Sequence, residues 1–200
     1  MNYIQLKIAV LVIVATAVST AAARAESPAI RNCTWCHGAS AQGYTPAPRL
    51  AGQRAQYIEQ QLLSFSDHTR DSPFSRQYMW GAVASLSPQA ARDLAEYFSK
   101  LPPRAANDGD RESIAKGEAI YQRGMPEANI VACVACHGPN GEGIGAVPRL
   151  GGLAYTYLKR RLIQWHQGYH GALRLPMPHI ANQLSRDQIE DLASYLSFVK

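Results

Sequence analysis

The sequence predicts an all-α protein of two tandem domains, each built around a covalently attached haem. Three observations carry that prediction. Apolar residues recur at helical spacing with no competing strand pattern, the chain repeats itself at an offset of one hundred residues, and each repeat contains one Cys-x-x-Cys-His motif.

The motifs are Cys33-Thr34-Trp35-Cys36-His37 and Cys133-Val134-Ala135-Cys136-His137, and they use all four cysteines of the 200-residue chain. Two thiols at this spacing form thioethers to the haem vinyl groups, and the adjacent histidine is then placed to bind iron. Redox dithiols and zinc sites also use Cys-x-x-Cys, but neither needs a histidine directly after the second cysteine. A zinc site also leaves the duplicated Cys-x-x-Cys-His-Gly unexplained. The expected cofactors are therefore two haem c groups, with no disulfide.

Residues 1–25 read as a cleaved signal peptide. Lys7 supplies the positive start, Ile8 to Val18 the apolar stretch, and Ala23-Arg24-Ala25 the small-x-small pattern before a cut. The apolar stretch is shorter than the ~20 residues that span a bilayer. Export fits the cysteines, since bacterial c-type haem is attached outside the cytoplasm, and the periplasm is the expected location. Loss of Lys7 and Arg24 leaves 18 basic side chains against 15 acidic ones, a net charge of +3 rather than +5. That balance suits an acidic or membrane-associated redox partner, and with no basic run or aromatic-basic patch it excludes nucleic acid.

The repeat extends beyond the cysteines. Pro48-Arg49-Leu50-Ala51-Gly52 recurs as Pro148-Arg149-Leu150-Gly151-Gly152, and Tyr57, Leu62 and Phe65 recur as Tyr157, Leu162 and Trp165. Asp93-Leu94-Ala95-Glu96-Tyr97-Phe98-Ser99 matches Asp191-Leu192-Ala193-Ser194-Tyr195-Leu196-Ser197 at an offset of 98, so the second half lacks two loop residues. Amphipathic helices are predicted over Gln53 to Ser66 and Leu153 to Gln167, and over the segments carrying Leu94, Tyr97, Phe98 and Leu101, and Leu192, Tyr195, Leu196 and Val199. Ser87-Pro88 and Ser185 with Gln188 mark two helix starts. A further helix over Ser113 to Arg123 precedes the second motif, while the first domain begins almost at its haem. The turn-rich segment from Pro102 to Asp110 breaks helix. The expected organisation is a first domain at 26–101, a linker at 102–112 and a second domain at 113–200.

His37 and His137 each fill one axial position of an iron, and the other must come from a methionine or histidine further downstream. Met79 and Met177 fall downstream of one motif each and match at the offset of 98 that governs the last helices. A lone methionine is usually core packing, but two at equivalent places in two haem repeats read as axial ligands. His68, His166, His170 and His179 recur at no equivalent positions, although His179 lies two residues beyond Met177.

On Cys33, Cys36, His37 and Met79, and on Cys133, Cys136, His137 and Met177, the mature chain resembles the diheme cytochrome c4 family of tandem class I cytochrome c domains. The resemblance implies that the Pro48 and Pro148 carbonyls orient His37 and His137, a contact that also tunes the iron. Arg49 and Arg149 are then candidates to pair with haem propionates. The chain departs from the family in its short N-terminus and in Pro176-Met177-Pro178, where prolines flank the ligand and stiffen its loop.

Histidine and methionine together close both faces of each iron, so the expectation is electron transfer and not catalysis. A neutral methionine favours reduced iron and a relatively high potential. The first reading is a periplasmic carrier between a quinol-oxidising complex or dehydrogenase and a terminal oxidase. The second is a dedicated diheme subunit of a sulfur-compound or alcohol dehydrogenase. A diheme peroxidase needs an iron that sheds its sixth ligand, which the paired methionines disfavour.

Overall fold

The structure is a computed structural model that describes residues 27–169 and 176–200. The segment expected to be a signal peptide, and His170, lie outside the described residues. Among the described residues the regular elements are helical, with only isolated bridges such as Tyr44 to Ala47 and Ile144 to Val147, again one hundred residues apart. No helix among them is long and apolar enough to cross a membrane.

In the first half, α1 (Pro28–His37) carries the first motif. Its start is fixed by Ser27, whose hydroxyl accepts the Ile30 N–H, and by Pro28 at the first helical position. It ends at Gly38, with φ of 84°, and the short α6 (Val134–His137) ends at Gly138 with φ of 81°. A side chain at either glycine is strained in that conformation, which accounts for the glycine after each motif histidine.

From there both halves follow the same course. The Gly43 and Gly143 N–H groups donate to the His37 and His137 carbonyls, and Leu50 and Leu150 donate to Ala41 and Gly141. These bonds close the loop between the motif and the Pro-Arg-Leu segment. Next come α2 (Ala55–Ser66) and α7 (Tyr155–His166), then α3 (Trp80–Val83) and α8 (Met177–Ala181), and finally α4 (Pro88–Ser99) and α9 (Arg186–Phe198). Ser87 caps α4 through the Ala90 N–H, and Ser185 and Gln188 form the expected capping box on α9.

Two local differences from the sequence reading have physical causes. Helix α2 starts at Ala55, not Gln53, because Arg54 is still extended and its N–H is taken by the Gln53 side chain. The segment around Met177 is not a stiffened loop: Pro176 and Pro178 begin α8, where a proline ring and its missing donor are tolerated. Met79 instead closes a wide helical turn over Ser75–Met79.

The two cores are unequal. Among the described residues the first gathers Ala41, Ala51, Ile58, Leu94, Ala95 and Phe98, whereas the second has twelve buried hydrophobic residues. One of the twelve, Tyr121, lies on α5 (Ile114–Arg123), which packs on α9 and has no counterpart among the described residues of the first half. Fully buried Tyr121 donates to the Gly138 carbonyl at 2.6 Å, tying α5 to the second motif. With fewer apolar side chains, the first domain leans more on its haem for a core.

The segment between the domains is docked and not loose. Asn107 and Gly109 donate to the Ser197 carbonyl and hydroxyl, Asp110 donates to the Ser194 hydroxyl, and Ala106 donates to the Gly152 carbonyl. Ser194 and Ser197 are buried on α9, and these backbone donors explain two polar residues on an inward helix face.

Gly117 sits where α5 crosses α9, and a Cβ there meets the Asp191 carbonyl and the Tyr195 side chain. Gly117→Ala is expected to destabilise the second domain by about 1–3 kcal/mol through overpacking, despite its better helix propensity. Denaturant unfolding of the holoprotein checks this.

Candidate haem sites and the domain interface

On the proximal side, His37 Nδ1 donates to the Pro48 carbonyl at 2.7 Å and His137 Nδ1 donates to the Pro148 carbonyl at 2.9 Å. Both histidines are about 95% buried, being 6% and 5% exposed. Burial pulls both imidazoles below their ordinary value, against the raising effect of the proline carbonyls, and the Arg70 charge lowers His37 further. Each ring is therefore neutral near pH 7, with its proton on Nδ1 and the Nε2 lone pair left for a metal.

The four cysteines are unpaired. Burial, helped by Cys36, pushes the Cys33 thiol up to about 11, and burial does the same for Cys133. Such thiols are not thiolates at neutral pH, which argues against a redox dithiol. Among the described residues no group of three or more His, Cys, Asp or Glu side chains gathers as a metal cage.

On the distal side, Met79 and Met177 are both half-buried, and Met177 packs on the second core. His166 and His179 are exposed, as is His68, whose ring stacks on Trp80 at 3.9 Å.

The largest set of functional residues that sequence reasoning passed over lies between the domains. Gln53 donates to the Arg149 carbonyl at 2.9 Å and accepts the Arg149 N–H at 2.7 Å. Arg160 donates to the Pro46 carbonyl at 2.7 Å and lies 4.2 Å over the Phe74 ring. Arg70 donates to Gln61 and, at 3.4 Å, to the Tyr157 hydroxyl. Tyr57 and Tyr157 meet there from equivalent positions. Burial pushes the Tyr57 hydroxyl up, while for Tyr157 burial is outweighed by the Arg70 and Arg161 charges, which hold it down. A signal for part of this set existed: Gln53, Gln60 and Gln61 match Leu153, Arg160 and Arg161 in the repeat, so several interface residues lie where the two halves stop matching.

Arg49 is 5% exposed and donates to the carbonyls of Arg104, Gly151 and Gly152 at 2.5, 2.8 and 2.8 Å. The expected propionate partner is thus engaged by backbone from the linker and the second domain, leaving its Nε. The guanidinium of Arg149 has no protein partner among the described residues.

Whether a haem fits is tested by the buried donors that the polypeptide leaves unmatched. They include Arg70 Nε, beside His37, and Trp165 Nε1, against the second core. Buried donors of this kind need acceptors, and propionate carboxylates supply them. With a neutral buried histidine next to two thiols in each half, the residues present fit two haem c groups.

The family Cytochrome c matches the chain twice, over residues 22–102 and 114–200. The chain is 36% identical over 194 residues to cytochrome c-552 of Acidithiobacillus ferridurans, covering 94% of this chain and 84% of that protein. It is 37% identical over 179 residues to the thiosulfate dehydrogenase electron acceptor of Stutzerimonas stutzeri, covering 86% and 81%. Its fold is similar to the solved structure of Acidithiobacillus ferrooxidans cytochrome c4, with a TM-score of 0.78, 35% identity and coverage of 84% of this chain and 98% of that one.

Gln53→Leu installs the residue of the second half and strands the Arg149 peptide groups that Gln53 now satisfies. The expected cost is about 1–3 kcal/mol, with the unfolding of the two domains separating. Differential scanning calorimetry of the holoprotein reads both effects.

Proposed function

Since this chain belongs to the cytochrome c family and carries two cytochrome c domains with two haem c groups, we propose how its residues make it a diheme electron carrier. Cys33 and Cys36 hold one haem and Cys133 and Cys136 the other. His37 with Met79, and His137 with Met177, are the axial ligands. The domains run over 26–101 and 113–200, joined by 102–112. The observation that carries this assignment is the pair of buried neutral histidines, each donating Nδ1–H to a proline carbonyl at the same register.

A bound haem supplies a one-electron iron couple; the protein supplies its setting. The Pro48 and Pro148 carbonyls fix each imidazole's tautomer and orientation and raise its basicity. The methionine thioethers are neutral and favour the reduced state. Dry surroundings and ligands held by packed helices keep rearrangement on electron transfer small. Arg70 and Trp165 offer donors to propionates. Arg49 spends NH1 and NH2 on carbonyls and Arg149 lines a cleft beneath the linker, so we assign the propionates to Arg70 and Trp165.

The chain exchanges electrons with redox proteins, and we place it in the periplasm after removal of residues 1–25, between a quinol-oxidising complex or dehydrogenase and a terminal oxidase. A second reading is favoured by the similarity to a thiosulfate dehydrogenase electron acceptor: service to one periplasmic sulfur-compound dehydrogenase. Copurification separates the two, since a carrier runs apart from its donor and a dedicated acceptor stays with its enzyme.

Met79→His and Met177→His should each lower the potential of one haem by on the order of 0.1–0.2 V, within the ~0.8 V that axial ligands span. Each should also remove its share of the methionine–iron charge-transfer band. A potentiometric titration unchanged by either substitution would show that methionine is not the ligand.

A further inference from the structure

Beneath the linker the two domains leave a cavity of about 460 Å³ whose wall carries Arg49, Arg104, Arg149 and Lys200, with Asn107 and Gly151 between them. No aspartate or glutamate side chain lines it. Neither does any cysteine, histidine or methionine assigned to the haems, so the cavity lies apart from the iron-binding residues.

Two of these cations are in an unusual state. Burial, and then the charge of Arg149, pull the Arg49 guanidinium down to about 10. Its NH1 and NH2 groups are engaged by carbonyls, and it lies against Gly152, where any side chain displaces it. Its Nε is buried without an acceptor, and so is the Nε of Arg149, whose guanidinium has no hydrogen bond or ion pair among the described residues. The two like charges, Arg49 buried and Arg149 half-buried, repel, and an anion between them reverses the sign of that interaction. The planar fork of arginine matches an oxyanion in shape as well as charge.

We propose that this cleft binds one small dissolved oxyanion of the sulfate or phosphate class, held by the Arg149 guanidinium, with the charges of Arg49 and Arg104 completing the field. The bound anion joins the Pro-Arg-Leu segments of both domains to the linker, so it stiffens the domain pair. The inference is independent of which redox partners the chain serves.

The test is a titration of the holoprotein with sodium sulfate at ionic strength held constant with sodium chloride, followed by calorimetry and by thermal unfolding. Saturable binding and a rising unfolding temperature are expected. Arg149→Gln should weaken binding by at least about tenfold, as for loss of a charged hydrogen-bond partner, and Arg149→Lys should restore part of it. In chloride alone Arg149→Gln should not lower the unfolding temperature, because it removes one of two opposed charges; a merely structural arginine gives a lower one. No saturable response beyond that to chloride, or an Arg149→Gln protein that answers sulfate as the parent does, overturns the proposal. So does a protein that ignores sulfate but shifts a haem potential on Arg149→Gln, for then the anion at this arginine is a haem propionate.

Discussion

One hydrogen bond, from a histidine Nδ1–H to the carbonyl of a proline eleven residues further on, organises each half of this protein. It needs the histidine at the end of a helix, a glycine of positive φ to turn the chain, and a loop that returns Pro-Arg-Leu beneath the imidazole. The loop is held by its own backbone bonds, made at the same register in both halves. The segment after that return follows in order: the leucine two residues beyond the proline packs on the core, Arg49 between them reaches the other domain, and the following helix starts only once the turn is complete. A haem ligand with a settled tautomer is thus a property of backbone closure more than of any single side chain.

The two halves share this device but are not copies. The second has its own α5 and twice as many buried hydrophobic residues in its core. The described residues of the first hold neither. Between the halves, residues that have diverged from the repeat join repeated ones, such as Tyr57 and Tyr157, in making the contacts. Two arginines on α7 stand where α2 has two glutamines, and Gln53 stands where the second domain buries Leu153. Duplication supplied two equal sites, and unequal substitution at the facing surfaces turned them into one assembly.

Much of this was legible in the sequence because it is local or repeated. Helix starts at Ser87 and Ser185 follow from capping chemistry, and the Cys-x-x-Cys-His-Gly spacing encodes attachment and turn together. The proline contacts came through resemblance, and the structure puts the carbonyls 2.7 and 2.9 Å from the histidines. The interface was not legible, since which face of Arg49 or Arg70 meets another domain depends on how two folded bodies dock. The prolines around Met177 illustrate a smaller ambiguity: the same residues that stiffen a loop also start a helix, and only the following residues, free to continue α8, decide it.

The two buried serines on α9 have a consequence for timing. By accepting N–H groups of the linker they turn a segment without helix into a strut, where tandem domains would by default swing about their connection. An electron crossing from one half to the other then meets a spacing written into the chain, the same at every encounter. The viscosity of the surroundings drops out of that step, and diffusion governs only the arrival and departure of partners.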